Sequence, residues 1–190
     1  MIHKALEFLQ DYLNKELKMT LALSEDSVVA SSLVNPDGSV VESTQNKVVI
    51  SIVNMEHETF VKSTQQYKSD GEHSYGKINP PIHLNLYLLI TSNHSNYLEA
   101  YKRLSVVITK FQANPYFNKN EFSQMPDPIK KLTLEIFNIP ITELSHIWSG
   151  IGAKYVPSII YKMRMVTLEE TKIKKEIPGV TGLGNTAKPS

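Results

Sequence analysis

Residues 47–54, KVVISIVN, place five β-branched side chains in eight positions. Such side chains are stiff at χ1 and pack best on a pleated surface, so the segment predicts a strand. Apolar residues fall on both of its sides, which predicts a central place in a sheet. A central strand commits the chain to supplying neighbours and cover, and the remaining periodicities do so.

Cover comes from two helical patterns. Ala5, Leu6, Leu9, Tyr12, Leu13 and Leu17 recur at helical spacing with charges opposite them. Leu98, Tyr101, Leu104, Val107, Ile108 and Phe111 share a second predicted face over residues 97–113, and Asn114-Pro115 ends it, because proline disfavours helix in the residue before it. Neighbouring strands are predicted at 27–34, at 82–90 (Ile82, Leu84, Leu86 and Leu88 alternating), at 131–139 and at 155–168 (Ile159, Tyr161, Met163 and Met165 alternating). Pro157 places the last strand at an edge or near its own start. Pro36-Asp37-Gly38 is a turn in which proline presets one dihedral and glycine permits the positive one. A short helix is predicted over 141–149 with Thr142 as its N-cap. The fold class is α+β: a mostly antiparallel sheet packed with two main helices.

Two polar stretches stand apart. Residues 62–79, KSTQQYKSDGEHSYGKIN, are too poor in apolar side chains to enter a core. They read as a long loop or extended arm, whose Tyr67 and Tyr75 suit an interface. From Lys172 onward, KIKKEIPGVTGLGNTAKPS shows no periodicity and reads as an extended C-terminal tail. The expected division is a domain at 1–170 and a tail at 171–190. In the tail, Lys172, Lys174 and Lys175 suit acidic partners, with Ile173, Ile177 and Val180 as apolar anchors. It is expected to lie across another chain by adding a strand to an exposed sheet edge.

Catalytic signals are sparse. Gly150-Ile151-Gly152-Ala153-Lys154 has the composition of a phosphate cradle, yet a Walker loop follows a strand and opens a helix. Here the order is reversed, and Gly150 reads as a left-handed helix C-cap joining helix to strand. The histidines at 3, 57, 73, 83, 94 and 146 stand singly. His57-Glu58 begins like the zincin motif, but Val61 takes the place of its second histidine. His73 with Asp70 and Glu72 could hold a cation, and Glu56 with Glu58 could do acid–base work. Solvated loop and strand-exit charges are the plainer readings of both. Trp148 reads as a core or interface anchor rather than a stacking platform for bases. No catalytic, cofactor-binding or metal constellation emerges.

Composition narrows the classes further. Twenty basic against nineteen acidic side chains leave +1, so no overall field draws the chain to nucleic acid or an anionic membrane. The absence of cysteine removes disulfides, thiolate metal sites and cysteine nucleophiles. No apolar run approaches the roughly 20 residues of a membrane span. Glu7, Asp11 and Glu16 interrupt the N-terminal segment, which is therefore not read as a signal peptide. The expectation is a soluble chain made in the cytoplasm.

Two segments carry a family resemblance. PPIHLNLYLLITSN followed by YLEAYKRLSVVITKFQANPYF resembles the central signature of the tail-terminator, or cap, family of extracellular contractile injection systems. There a Pro-Pro opens a leucine-alternating strand, and the helix after it ends in Asn-Pro or Asp-Pro. ITELSHIWSGIGAKYVPSIIYKMRMV resembles the second signature, a Leu-x-x-(Leu/Ile)-Trp helix leading into Tyr-x-Pro-Ser-x-x-Tyr and a closing strand. Those positions are Leu144, Ile147, Trp148, Tyr155, Pro157, Ser158 and Tyr161. Ser105 stands where many relatives carry glycine, and longer members continue into a further C-terminal region.

The resemblance implies a tail-terminator-like fold and a structural, non-enzymatic part of a phage-tail-like particle such as the antifeeding prophage. It implies a homo-oligomeric, typically hexameric ring at the end distal to the baseplate, which stops the inner tube protein and the sheath protein and ties them together. Assembly would be cytoplasmic, in a particle then extracellular or retained by the cell. Trp148, Gly150, Tyr155, Pro157 and Tyr161 become structural anchors, with Trp148 buried near Tyr155 or Tyr161. The residues alone also leave two other classes open: a small-molecule or metal-dependent enzyme using residues 56–79, and a monomeric protein-binding adaptor.

Overall fold

The computed structural model describes residues 1–58, 66–69, 74–78, 82–127, 129, 131–168 and 175–178. In chain order the elements are α1 (Ile2–Leu21), β1 (Val28–Ala30), β2 (Lys47–His57), β3 (Gln66–Ser69), β4 (Ser74–Ile78), β5 (Ile82–Asn93), α2 (Tyr97–Ala113), β6 (Tyr116–Asn118), β7 (Lys131–Ile136), α3 (Ile141–Ile151), β8 (Ser158–Leu168) and β9 (Lys175–Pro178). Internal contacts divide the chain into two compact units, Met1–Glu58 with Leu84–Val166, and Thr59–His83 with Thr167–Ser190.

The first unit is built on a six-stranded sheet of order β1-β2-β5-β8-β7-β6. The pairs β2–β5, β7–β8 and β6–β7 are antiparallel, whereas β1 runs parallel to β2, so the sheet is mixed. β2 is covered on both faces, as its composition requires. Val48 and Ile50, with Leu86, Leu88 and Ile90 of β5, pack under α1 and α2. Val49, with Tyr87 and Leu89 of β5, packs with Trp148 on the α3 side. Around Phe117, the rings of Phe8, Tyr12, Phe111 and Phe122 lie within 6.4 Å centroid to centroid, mostly edge to face.

Local outcomes differ from expectation where side-chain counting misled. The strand predicted at 27–34 is only Val28–Ala30; beyond it Val34 makes a lone bridge to Val40 around the Pro36-Asp37-Gly38 turn, where Gly38 takes φ 83°. Asn14, inside α1, fixes β1: its Oδ1 accepts from the Ser27 and Val28 N–H groups at 2.8 Å each, and its Nδ2 donates to the Val28 carbonyl at 3.0 Å. On α2 the buried stripe is Ala100, Leu104, Val107 and Phe111, while Leu98 is 77% and Tyr101 40% exposed. Ala100 turns the stripe away from Leu98, and its small side chain is easily overlooked as a core residue.

The joint between α3 and β8 also needs correction. Pro140, not Thr142, precedes the helix, and it has no side-chain cap; Thr142 lies within the first turn. At the other end the left-handed cap is Gly152 at φ 76°, whose N–H donates to the Trp148 carbonyl at 3.1 Å. Gly150 is inside the last helical turn. The helix runs past it because Ile151 packs against the α3-side core.

The second unit holds a three-stranded antiparallel sheet of order β3-β4-β9. Part of the expected loop is thus a hairpin, and part of the expected tail is its third strand, with Tyr75 opposite Ile177. Lys175–Pro178 of the tail pairs with β4 of its own chain. Strand addition needs backbone groups more than particular side chains, and β4 supplies them locally.

His94, between β5 and α2, makes the first unit sensitive to acid. Its Nδ1 lies 3.1 Å from Ser92 Oγ, and its Nε2 is buried without a partner. Burial, and next the charge of Arg103, push its pKa from 6.5 down to about 4, against a weaker opposing pull from Glu99. As pH falls, the unfolded chain therefore takes up this proton first. The stability tied to neutral His94 is full above pH 6.5 and is lost as pH falls towards 4. Replacing it, as in His94→Asn, should flatten the pH dependence of urea unfolding across that window by about 1–2 kcal/mol. An unchanged slope would show that His94 titrates normally.

Candidate assembly surfaces

A β-bulge shapes the first surface. The β2–β5 register slips by one residue between Ile52 and Asn54. Before the slip, Val49 faces α3 and Val48, Ile50 and Ile52 face the other helices; Val53, the extra residue at the slip, also packs on the α3 side. After it the sense inverts: Asn54 lies opposite Tyr87 and Glu56 opposite Asn85, on the α3 side, while Met55 lies opposite Leu86. The helix does not reach all of this face. α3 has 11 residues, about 16 Å, whereas β5 has 12, about 40 Å.

The uncovered part is a cleft of about 400 Å³, walled by Val53, Ile139, Ile147 and Ile160, with Tyr87, Phe137, Asn54, Glu56 and Glu143 completing it. The rings of Tyr87 and Phe137 meet edge to face at 4.7 Å. Tyr87 donates its hydroxyl proton to Glu56 Oε2 at 2.7 Å. Lys162 Nζ stands 3.8 Å from the same oxygen and 5.2 Å from the Tyr87 ring centre. Glu143 is exposed on the first turn of α3.

Of the acid–base pair suggested by the sequence, Glu56 is thus tied to Tyr87 and Lys162, and Glu58 Oε2 accepts from Asn85 Nδ2 at 2.9 Å. The candidate cation group of Asp70, Glu72 and His73 lies outside the described residues. Among the described residues no three His, Cys, Asp or Glu side chains converge as for a metal ion, and no helix is long and apolar enough to cross a membrane.

A second surface is aromatic. Tyr97 (66% exposed) and Leu98 stand on the first turn of α2, and Tyr101 one turn on. The Tyr97 and Tyr101 rings lie 4.8 Å apart, and the Tyr97 hydroxyl donates to that of Tyr101 at 3.3 Å. Tyr155 is exposed as well, and its ring packs edge to face on Trp148 at 5.5 Å. The surplus of apolar residues on α2 over a single stripe was the signal that could have exposed this patch.

The other sequence candidates distribute as follows. Trp148 is buried at 5% exposure on the α3 side of the sheet. Tyr161 is buried on the opposite face against Phe111 at 5.1 Å, where burial pushes its hydroxyl pKa up to about 12. Pro157 immediately precedes β8, an interior strand, and its carbonyl accepts from the Ser92 N–H at 2.9 Å. Tyr67, Tyr75, Lys175 and Ile177 lie on strands of the small sheet; Lys172, Ile173, Lys174 and Val180 fall outside the described residues.

Two solved structures share the fold. One is the PVC sheath/tube terminator of an extracellular contractile injection system in the extended state, at 14% identity and TM-score 0.58, covering 94% of this chain and 62% of that one. The other is the tube-terminating cap of the anti-feeding prophage, at 14% identity and TM-score 0.60, covering 95% of this chain and 61% of that one. The chain therefore spans about three fifths of the length of each. A sequence search of curated proteins finds no match. Against sequence families, residues 5–182 match the Pvc16 N-terminal domain, and the chain belongs to that family.

Proposed function

We propose that the chain is the terminator domain of a contractile injection system, a structural cap that ends the inner tube and sheath distal to the baseplate and joins them there. What carries this reading is the coincidence of a family match over residues 5–182 with a fold shared, over nearly the whole chain, with a sheath/tube terminator and a tube-terminating cap. The exposed Tyr97, Leu98, Tyr101 and Tyr155 support it, because tyrosines that combine an apolar ring with a polar tip are enriched where proteins meet. In this reading the chain works as a homo-oligomeric, hexameric ring bound to tube and sheath proteins. It is made and assembled in the cytoplasm as part of the particle. The test is electron microscopy of particles from a strain lacking this gene. The expected result is tubes and sheaths of uncontrolled length or frayed distal ends; particles of normal, uniform length would overturn the proposal.

A further inference from the structure

The cleft beside α3 has chemistry that the fold leaves unused. Its charged groups are Glu56, Glu143 and the adjoining Lys162, two carboxylates against one ammonium, so it carries one negative charge in excess. Lys162 already displays how a cation is held there, between the Glu56 carboxylate at 3.8 Å and the face of Tyr87 at 5.2 Å. Glu143 has no ion-pair partner among the described residues.

An aliphatic stem ending in a cation fits this arrangement. The stem would lie against Val53, Ile139, Ile147 and Ile160, and the charged end would reach Glu143 and the lone pairs Glu56 has left. We propose that the cleft receives a lysine or arginine side chain of a partner protein. A neutral apolar side chain would desolvate Glu143 without pairing it, and a bare ammonium would gain nothing from the apolar walls. The β2 bulge builds the site. In an unbroken strand Met55 would occupy this face and Glu56 would point to the opposite one.

The inference rests on the cleft alone and is tested on the isolated chain, so a failure of the capping proposal leaves it standing. The ¹⁵N-labelled protein is titrated with N-acetyl-lysine methylamide and, in parallel, with N-acetyl-norleucine methylamide, an uncharged analogue with the same stem. The expected result is saturable shifts at the amides of Asn54, Glu56, Glu143 and Ile147, with the norleucine analogue about tenfold weaker. Glu143→Gln, at an exposed position, should weaken the lysine analogue about three- to tenfold and leave the norleucine analogue unchanged. Equal binding of the two analogues, or shifts spread over carboxylates across the surface, would overturn the proposal. So would binding of free putrescine tighter than that of the blocked lysine, which would make the cleft a small-molecule site.

Discussion

Asn14→Leu should cost about 3–5 kcal/mol of folding stability, although leucine suits both the helix and the burial of the site. Asn14 is 5% exposed and makes three hydrogen bonds, all to the backbone of Ser27 and Val28. Leucine would leave two N–H donors and one carbonyl at the root of β1 without these partners, at about 1–3 kcal/mol for each group that water cannot reach. The loss extends into the sheet, because the Ser27 carbonyl accepts from the Val48 N–H at 2.7 Å and sets the parallel register of β1 on β2. Asn14→Asp keeps both acceptor contacts but turns a buried carboxylate oxygen against the Val28 carbonyl, so it too should be less stable than the parent. Urea unfolding of the three proteins at neutral pH gives the comparison. A leucine variant as stable as the parent would mean that β1 is anchored elsewhere.

Trp148→Ala should cost a similar amount, about 3–5 kcal/mol, through a cavity between α3 and the sheet. Trp148 is 5% exposed among Tyr87, Leu89 and Ile160, and Tyr155 closes one side. Its Nε1 is buried with no hydrogen-bond partner. Trp148→Phe removes that orphaned donor along with some volume, and the two effects oppose each other. Its cost should stay below about 1.5 kcal/mol. Because the chain has one tryptophan, intrinsic fluorescence reports this site alone. A native emission as red-shifted as that of the unfolded protein would refute the burial, and an alanine variant of parental stability would refute the packing.

Much of the architecture was legible because periodicity reports burial. The faces of α1 and β5, the doubly covered β2 and the buried Trp148 all follow from where apolar side chains recur. What escaped was polar or positional. Asn14 lies on the buried face of α1, where counting apolar residues has nothing to say. The bulge after Ile52 is a backbone event, and it turned Glu56 from an apparent strand-exit charge into a wall of the cleft. Between two candidate glycines, the packing of Ile151 decided which one capped α3. The β4–β9 pairing joins segments about a hundred residues apart with little apolar pattern, so neither segment alone announces it. Of the candidate interface, the sequence flagged tyrosines in the arm, while Leu98 and Tyr101 were assigned to the apolar face of α2 and stand outside its buried stripe.

The margins of the large sheet bear on how copies of such a chain can crowd together without clumping. Its outermost strands, β1 and β6, have three residues each. The stretch of β2 that extends beyond β1 is bent by the bulge and carries Asn54, Glu56 and His57. A stranger's strand finds too short a ladder at either border, and the open stretch between bulge and charge is a poor template for backbone pairing. Runaway edge-to-edge fibre growth is thereby discouraged even at high concentration. Under the capping proposal, neighbours of the first unit would recognise it through side chains on its faces, where a match can be selective and can stop at a fixed number of copies.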